Sequence, residues 1–548
     1  MIQAADFTVT GNIVDVLARR VFAGRVTVAG GRIARVERVT GPASKYLLPG
    51  FVDAHVHVES SMLPPAEFAR LAMVHGTVAT LSDPHEIANV LGLAGVRYML
   101  ECAERTPLKI CFGAPSCVPA TPFDRAGAKL GPSEVAELLD DPRIGYLSEV
   151  MNYPGVIAGD RDMLAKIAAA QACGKPVDGH APGLRGAAAG QYFAAGISTD
   201  HESREFDEAL GKLQLGAKCL IREGSAAKNF DALHPLISRF PGDCMFCSDD
   251  KHPHELVEGH INELVRRAIA LGYDLFDVLQ VACVNPVAHY RLSVGLLQPG
   301  DPADFIEVED LTEFRPSRVW IDGRRVAERG RSLIQQTPAR VVNQFQVSPC
   351  AAEDFAVPAR PGALQVIEAI DHQLITGRRW EPPSLVAGHV TADLDRDILK
   401  LALVDRYGGG PPVVAFIRGY GLQQGAIASS VSHDSHNVLA VGVDDRSLAE
   451  AMNLVIAERG GIAAVGPGVS RVLPLPIAGL MSDRDGYEVA REYAKIDQLA
   501  KSLGSSLSAP FMTLSFMALL VIPALKLGPC GLFDVNRFAP TSLFGEDG

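Results

Sequence analysis

The sequence predicts an α/β protein: a (β/α)8 TIM barrel, a composite small β-sandwich built from the two flanks of that barrel, and an additional C-terminal α+β domain. Three observations predict it. Short β-prone runs alternate with helix-like segments from Tyr46 to Leu271. Side chains able to bind metal recur at the ends of those runs. Short β segments broken by turn residues lie on both sides of them.

The first strand spans Tyr46–Glu59 with a break at Pro49-Gly50, and a helix follows over Pro65–His75. Thr77–Ser82 is the second strand, with a helix over Ile87–Arg105. Leu108–Gly113 and Pro132–Asp140 form the third unit, and Ile144–Val150 with the alanine-rich Arg161–Cys173 the fourth. Pro176–Gly179 with Leu184–Ala195, Ile197–Thr199 with Glu205–Leu213, and Lys218–Arg222 with Ala226–Phe240 continue the alternation. Asp243–Ser248 is the eighth strand. The helix after it, His254–Leu271, carries Ile261, Leu264, Val265, Ala268 and Ile269 at the spacing that buries one face. Such alternation implies parallel pairing through right-handed crossovers. Periodicity alone also accommodates an open doubly wound sheet, but eight units in a span of about 250 residues fit a closed barrel better.

The flanks read differently. Val26–Ala29 and Arg32–Val36 precede the barrel; Asp304–Glu309, Arg318–Ile321 and Arg324–Val326 follow it. Asp322-Gly323 between β-prone runs is a strong hairpin signal. The expected division is residues 1–48 with 296–345 as one composite β domain, 49–295 as the barrel, and 346–548 as the C-terminal domain. That last region has glycine-rich loops (Gly408–Gly410, then Pro411-Pro412). It also has an amphipathic helix with Leu448, Ala451, Met452 and Val455 on one face, for which Ser447 is the expected N-cap.

Composition bounds the function. The 548 residues are 47% hydrophobic and 21% charged, ordinary for a folded protein and unlike a disordered or collagen-like chain. The net charge of −13, with no basic block, argues against a nucleic-acid or anionic-membrane binder. Ten scattered cysteines read as reduced thiols in a cytoplasmic protein. Met1–Thr10 lacks the pattern of a signal peptide. The most apolar window, Ala509–Leu525, contains Thr513, Ser515 and Pro523 and reads as a buried core segment.

The chemistry concentrates at strand ends. His55 and His57 alternate on the first strand and so project to one side, where two imidazoles suit a divalent first-row metal. A bare pair of this kind is also compatible with two ordinary histidines. Glu149 ends the fourth strand, His180 follows the fifth, His201 the sixth and Asp249 the eighth. A barrel opens all these ends onto one face, where its active site lies. Six such groups on one rim read as a metal site. Asp250 is the rival to Asp249. After the second strand, Asp83, His85 and Glu86 fall within four residues. Asp83 with Pro84 also suits a helix cap.

The stretch Leu48–His57, the histidines after strands five and six, and Asp249 after strand eight resemble the amidohydrolase superfamily. Asn285-Pro286, Gly295, Gly300 and Ala303-Asp304 resemble its exit from the barrel. The longer motifs His75-Gly76-Thr77, Ser82 to Val90, Ser432 to Asn437 and Pro510 to Met517 resemble the bacterial adenine deaminase family. This implies hydrolysis of adenine to hypoxanthine and ammonia at a pair of divalent metal ions, manganese or iron first, with zinc also suited. The same resemblance suggests a homodimer or larger homo-oligomer. A deaminase of another purine, or an amidase acting on a cyclic amide, is the alternative.

On that resemblance His55, His57 and Asp249 hold one ion, His180 and His201 the other, and Glu149 bridges both. Many two-metal relatives bridge with a carboxylated lysine after strand four. Here no lysine lies between Leu130 and Lys166, and a glutamate can give one oxygen to each cation. Glu86 is expected to shuttle protons at purine N1 and Asp249 to accept the water proton. Asp83 and His85 are expected to orient the ring, with Ser116 and Arg222 as further substrate contacts. The cytidine-type zinc pattern, H-x-E followed by P-C-x-x-C, is not met. His57-Val58-Glu59 and Cys244 to Cys247 lie far apart, Asp243 stands where proline is required, and the cysteines fall inside a strand with one thiol buried. His433, Asp434 and His436 fit a secondary metal site, a lid at the barrel mouth, or a polar turn.

Overall fold

A computed structural model describes residues 6–41 and 43–545. Eight parallel strands run in chain order: Phe51–Val56, Thr77–Ser82, Lys109–Ala114, Ile144–Val150, Val177–Gly179, Thr199–Asp200, Lys218–Arg222 and Cys244–Cys247. Five pair as one sheet and three as another. Backbone bonds close the ring between them. Ser198 N donates to Val177 O at 2.8 Å, and Asp249 N to His55 O at 2.9 Å. The strands are apolar and buried, as parallel strands covered by helices must be.

Several boundaries differ from the sequence reading. The first strand stops at Val56, and Val58–Ser61 is a tight 3-10 turn. The helix expected over Ile87–Arg105 is two, His85–Leu91 and Leu93–Ala103, because Gly92 takes a positive φ of 60° that ends the first. Its earlier start puts His85 and Glu86 in the first turn. Ala226–Phe240 holds only the short helices Phe230–Leu233 and Leu236–Arg239. The chain extends at Gly259, so His254–Leu271 becomes Pro253–Glu258 and Ile261–Ala270.

Both flanks enter one eight-stranded sheet. Tyr46–Pro49 lies at its centre, parallel to Phe7–Asp15 and antiparallel to Phe305–Val308. Val26, Val28, Phe305 and Trp320 pack its core. Asp322 and Gly323 both have positive φ, as a two-residue hairpin loop demands.

The C-terminal region is built on a second eight-stranded sheet, mostly antiparallel, from Thr376–Glu381 at one edge to Val469–Pro474 at the other. The helix Asp445–Ala457 buries Leu448, Ala451, Met452 and Val455 against it. Asp444, not Ser447, caps that helix: its carboxylate accepts from Ser447 N at 2.8 Å. Ser447 lies inside the first turn, and the longer reach of Asp444 takes the free N–H. The window Ala509–Leu525 holds the helix Pro510–Ser515 and a 3-10 turn, with Phe511, Met512, Phe516 and Ile522 buried. Among the described residues no helix is long and apolar enough to cross a membrane. The barrel and this region share one continuous apolar core.

Candidate active site

The strand ends converge on a narrow pocket of about 20 Å³ lined by buried residues. His55 is the penultimate residue of the first strand and His57 follows its end, and their Nε2 atoms stand 3.1 Å apart. Both face Asp249 Oδ1, at 3.4 and 3.2 Å. The backbone aligns these groups through Asp53, whose carboxylate accepts from Ser248 N and Oγ and so locks the first strand to the eighth. Asp249 itself takes a positive φ of 53°, which turns its side chain back toward the histidines while Asp250 points elsewhere. Asp250 accepts from Ser60 Oγ at 2.5 Å.

Glu149 divides its oxygens. Oε1 lies 3.3 Å from His57 Nε2, and Oε2 lies 2.6 Å from His180 Nδ1 and 3.1 Å from His201 Nε2. Burial pushes its carboxyl up, but His180, His201 and His57 outweigh that and hold it well below the usual carboxylate range. His55 Nδ1, His180 Nε2 and His201 Nδ1 are buried without a hydrogen-bond partner. Buried polar atoms normally have one.

Behind this set stand Ser116 and Arg222. Ser116 Oγ donates to the Glu149 carbonyl at 2.5 Å. Arg222, fully buried, donates to Asp249 Oδ2 at 2.6 Å and pairs with Glu202. Both expected substrate contacts are thus turned away from the pocket, their polar atoms committed to holding its wall. Asp83 likewise serves His85, accepting from its N–H and facing its Nδ1, both at 3.0 Å. Glu202 itself lines the pocket beside His180 and His201, and sequence reasoning missed it. Its only signal was adjacency to His201.

The C-terminal region completes the site. His433 Nδ1 and His436 Nε2 each hydrogen-bond one oxygen of Glu86. His436 Nδ1 accepts from Ser432 N at 3.1 Å, so its proton sits on Nε2 and points at Glu86. Burial lowers the His436 imidazole further than Glu86 raises it. Burial also lowers His433, but Glu86 and Asp250 lift it to about 9. Glu86 is pushed up by burial and, more strongly, held well below the carboxylate range by His433, His85 and His436. Asp434 Oδ1 lies 3.6 Å from His85 Nε2. Leu374, Phe516, Leu519 and Ile522 form an apolar roof over these groups.

Comparison with known proteins agrees with both halves of the chain. The pattern of the Amidohydrolase family matches residues 46–326, and that of the Adenine deaminase C-terminal domain matches residues 373–539. An adenine deaminase of a Sulfurovum species is 57% identical over 528 residues, covering 96% of this chain and 98% of its own length. That of Salinibacter ruber is 56% identical over 536 residues, covering 97% and 98%.

The chain belongs to the adenine deaminase family.

In this family member both thiols of Cys244 and Cys247 are buried within the eighth strand, where one was expected. Burial raises each of them, and neither lines the pocket.

Proposed function

We propose that this chain deaminates adenine hydrolytically, giving hypoxanthine and ammonia, at a pair of divalent cations held on the barrel rim. The observation that carries the two-cation reading is Glu149, whose oxygens face separate histidine groups. The donor set fits cations. Ring nitrogens and carboxylate oxygens converge within 4.8 Å of one another as His55, His57 and Asp249, and again as His180, His201 and Glu202. His55, His57 and Asp249 would hold one ion, His180 and His201 the other, with Glu149 offering an oxygen to each group. Manganese or iron suits these nitrogen and oxygen donors, and zinc would also bind.

When bound, such a pair of cations supplies a hydroxide nucleophile at neutral pH. The residues do the rest. The purine lies between the rim and the apolar roof, its C6 toward the metal-binding groups. Asp249 accepts the proton released on attack, with Arg222 steadying its second oxygen. Glu86 and His433 act as one proton-carrying pair. The imidazole stores a proton that Glu86 delivers to N1, where it stays in hypoxanthine; the proton Asp249 took from the attacking oxygen passes to the departing amino group, which leaves as ammonia. His436 and Asp434 keep that pair and His85 in place. The apolar roof limits the access of bulk water to the reaction.

The test is direct. The purified protein, loaded with manganese, is given adenine, and ammonia release and the ultraviolet shift to hypoxanthine are followed. Turnover of another purine without turnover of adenine would replace the substrate assignment. A metal-loaded protein that turns over nothing would leave a binding protein.

A further inference from the structure

A single buried amine ties together the roof of the pocket. Lys526, on the strand Leu525–Gly528, is fully buried. Its Nζ donates to the carbonyls of Leu374 and Phe516, each at 2.8 Å. Burial pushes its ammonium down to about 7, with no opposing carboxylate among the described residues. A buried amine without a countercharge is costly, and a purely apolar side chain would avoid that cost.

Its two acceptors explain where it acts. Leu374 precedes the edge strand Thr376–Glu381, while Phe516 opens the 3-10 turn after the helix Pro510–Ser515. These segments are far apart in the chain, yet both side chains line the catalytic pocket. The Phe516 ring also stacks on His433, with centroids 4.4 Å apart and planes 16° from parallel. His433 in turn holds Glu86. Lys526 therefore fixes the backbone from which the apolar ceiling hangs.

We infer that Lys526 is a positioning residue: it sets the height of the roof over the barrel mouth and, through Phe516 and Leu374, the fit of the purine ring. The inference rests on the reading of this pocket as a purine deaminase site. Lys526 makes no hydrogen bond to the rim or to the proton-carrying pair and reaches His433 only through the Phe516 ring, so the larger response should be in KM and the smaller in kcat.

The manganese-loaded full chain tests this in a double-mutant cycle. K526M should raise KM for adenine about tenfold, the scale on which an apolar pocket reports a small misfit. Its kcat should stay within about threefold and its metal content unchanged. F516A should raise KM comparably, and K526M/F516A should fall short of the product of the single effects, because Lys526 acts partly through Phe516 and partly through Leu374. K526Q, which keeps a donor, should recover part of the effect, and it replaces K526M in the cycle if K526M does not fold. An unchanged KM in a folded variant, or additive effects in the double variant, would overturn the inference. If the wild type turns over a different purine, the functional reading fails, and the roof is judged on the same KM ratios with that purine.

Discussion

The rim of the barrel and the roof above it are built from different material. The rim is polar, and each of its groups sits at the end of a separate strand, where the backbone ladder fixes its direction. The roof comes from loops and short helices of the C-terminal region. It pairs apolar side chains with the two histidines that grip Glu86. The difference teaches a division of labour. A closed set of parallel strands holds donors rigidly enough for cations. A second body packed over the mouth can position a proton carrier and a ring without disturbing them.

The strongest test of this division is Glu149→Gln. Removing the shared charge should drop metal content below two ions per chain and activity by more than about 10⁴-fold, beyond what a proton-transfer group contributes. Metal analysis finding both ions retained would sink the bridging role. Glu86→Gln should instead leave metal content intact and lower kcat by about 10² to 10⁴-fold. Loss of metal in that variant would place Glu86 with the rim and break the comparison. His436→Ala should act more mildly, by roughly 10- to 100-fold on kcat, since it only orients Glu86. Equal losses for His436→Ala and Glu86→Gln would mean that the histidine takes part in proton transfer itself.

The roof also has a pH signature in stability. The folded Lys526 holds its proton only below about 7, against 10.5 for the ordinary amine. Between these values the unfolded chain binds the extra proton, so stability rises with pH. The wild type should therefore gain on K526M by about 1.4 kcal/mol per pH unit as pH rises above 7, read from denaturation at several pH values. A gap that narrows with rising pH would contradict the buried, uncompensated amine. The smallest effect is expected far from the pocket. Asp444→Ala should cost about 1 kcal/mol of stability by unfreezing the helix end, with deamination unchanged. Ser447→Ala should cost less, and the reverse order would restore Ser447 as the cap.

Much of the rim was legible in the sequence because strand ends follow a local rule. Glu149, His180, His201 and Asp249 could be placed by where their strands stop, without knowing how the strands pack. The superfamily pattern already favoured Asp249 over Asp250, because it follows Ser248; that the positive φ at Asp249 aims its carboxylate at His55 and His57 is something no spacing encodes. Arg222 and Ser116 sit where a substrate contact was expected, but their partners are rim carboxylates and carbonyls brought in from other strands. Glu202 escaped notice because the direction of a side chain just past a two-residue strand is set by its neighbours.

The alternation of strands and helices, the hairpin at Asp322-Gly323, the strand-end donors and the family motifs are all written locally in the chain. These depend on periodicity, backbone φ and residue chemistry, which act over a few residues. That His433 and His436 close on Glu86, and that one buried lysine ties Leu374 to Phe516, follows from the packing of distant segments. The histidines reach across 347 and 350 residues of chain, and Lys526 reaches Leu374 across 152. Such contacts exist only once two apolar cores have merged and brought their polar groups within hydrogen-bonding reach.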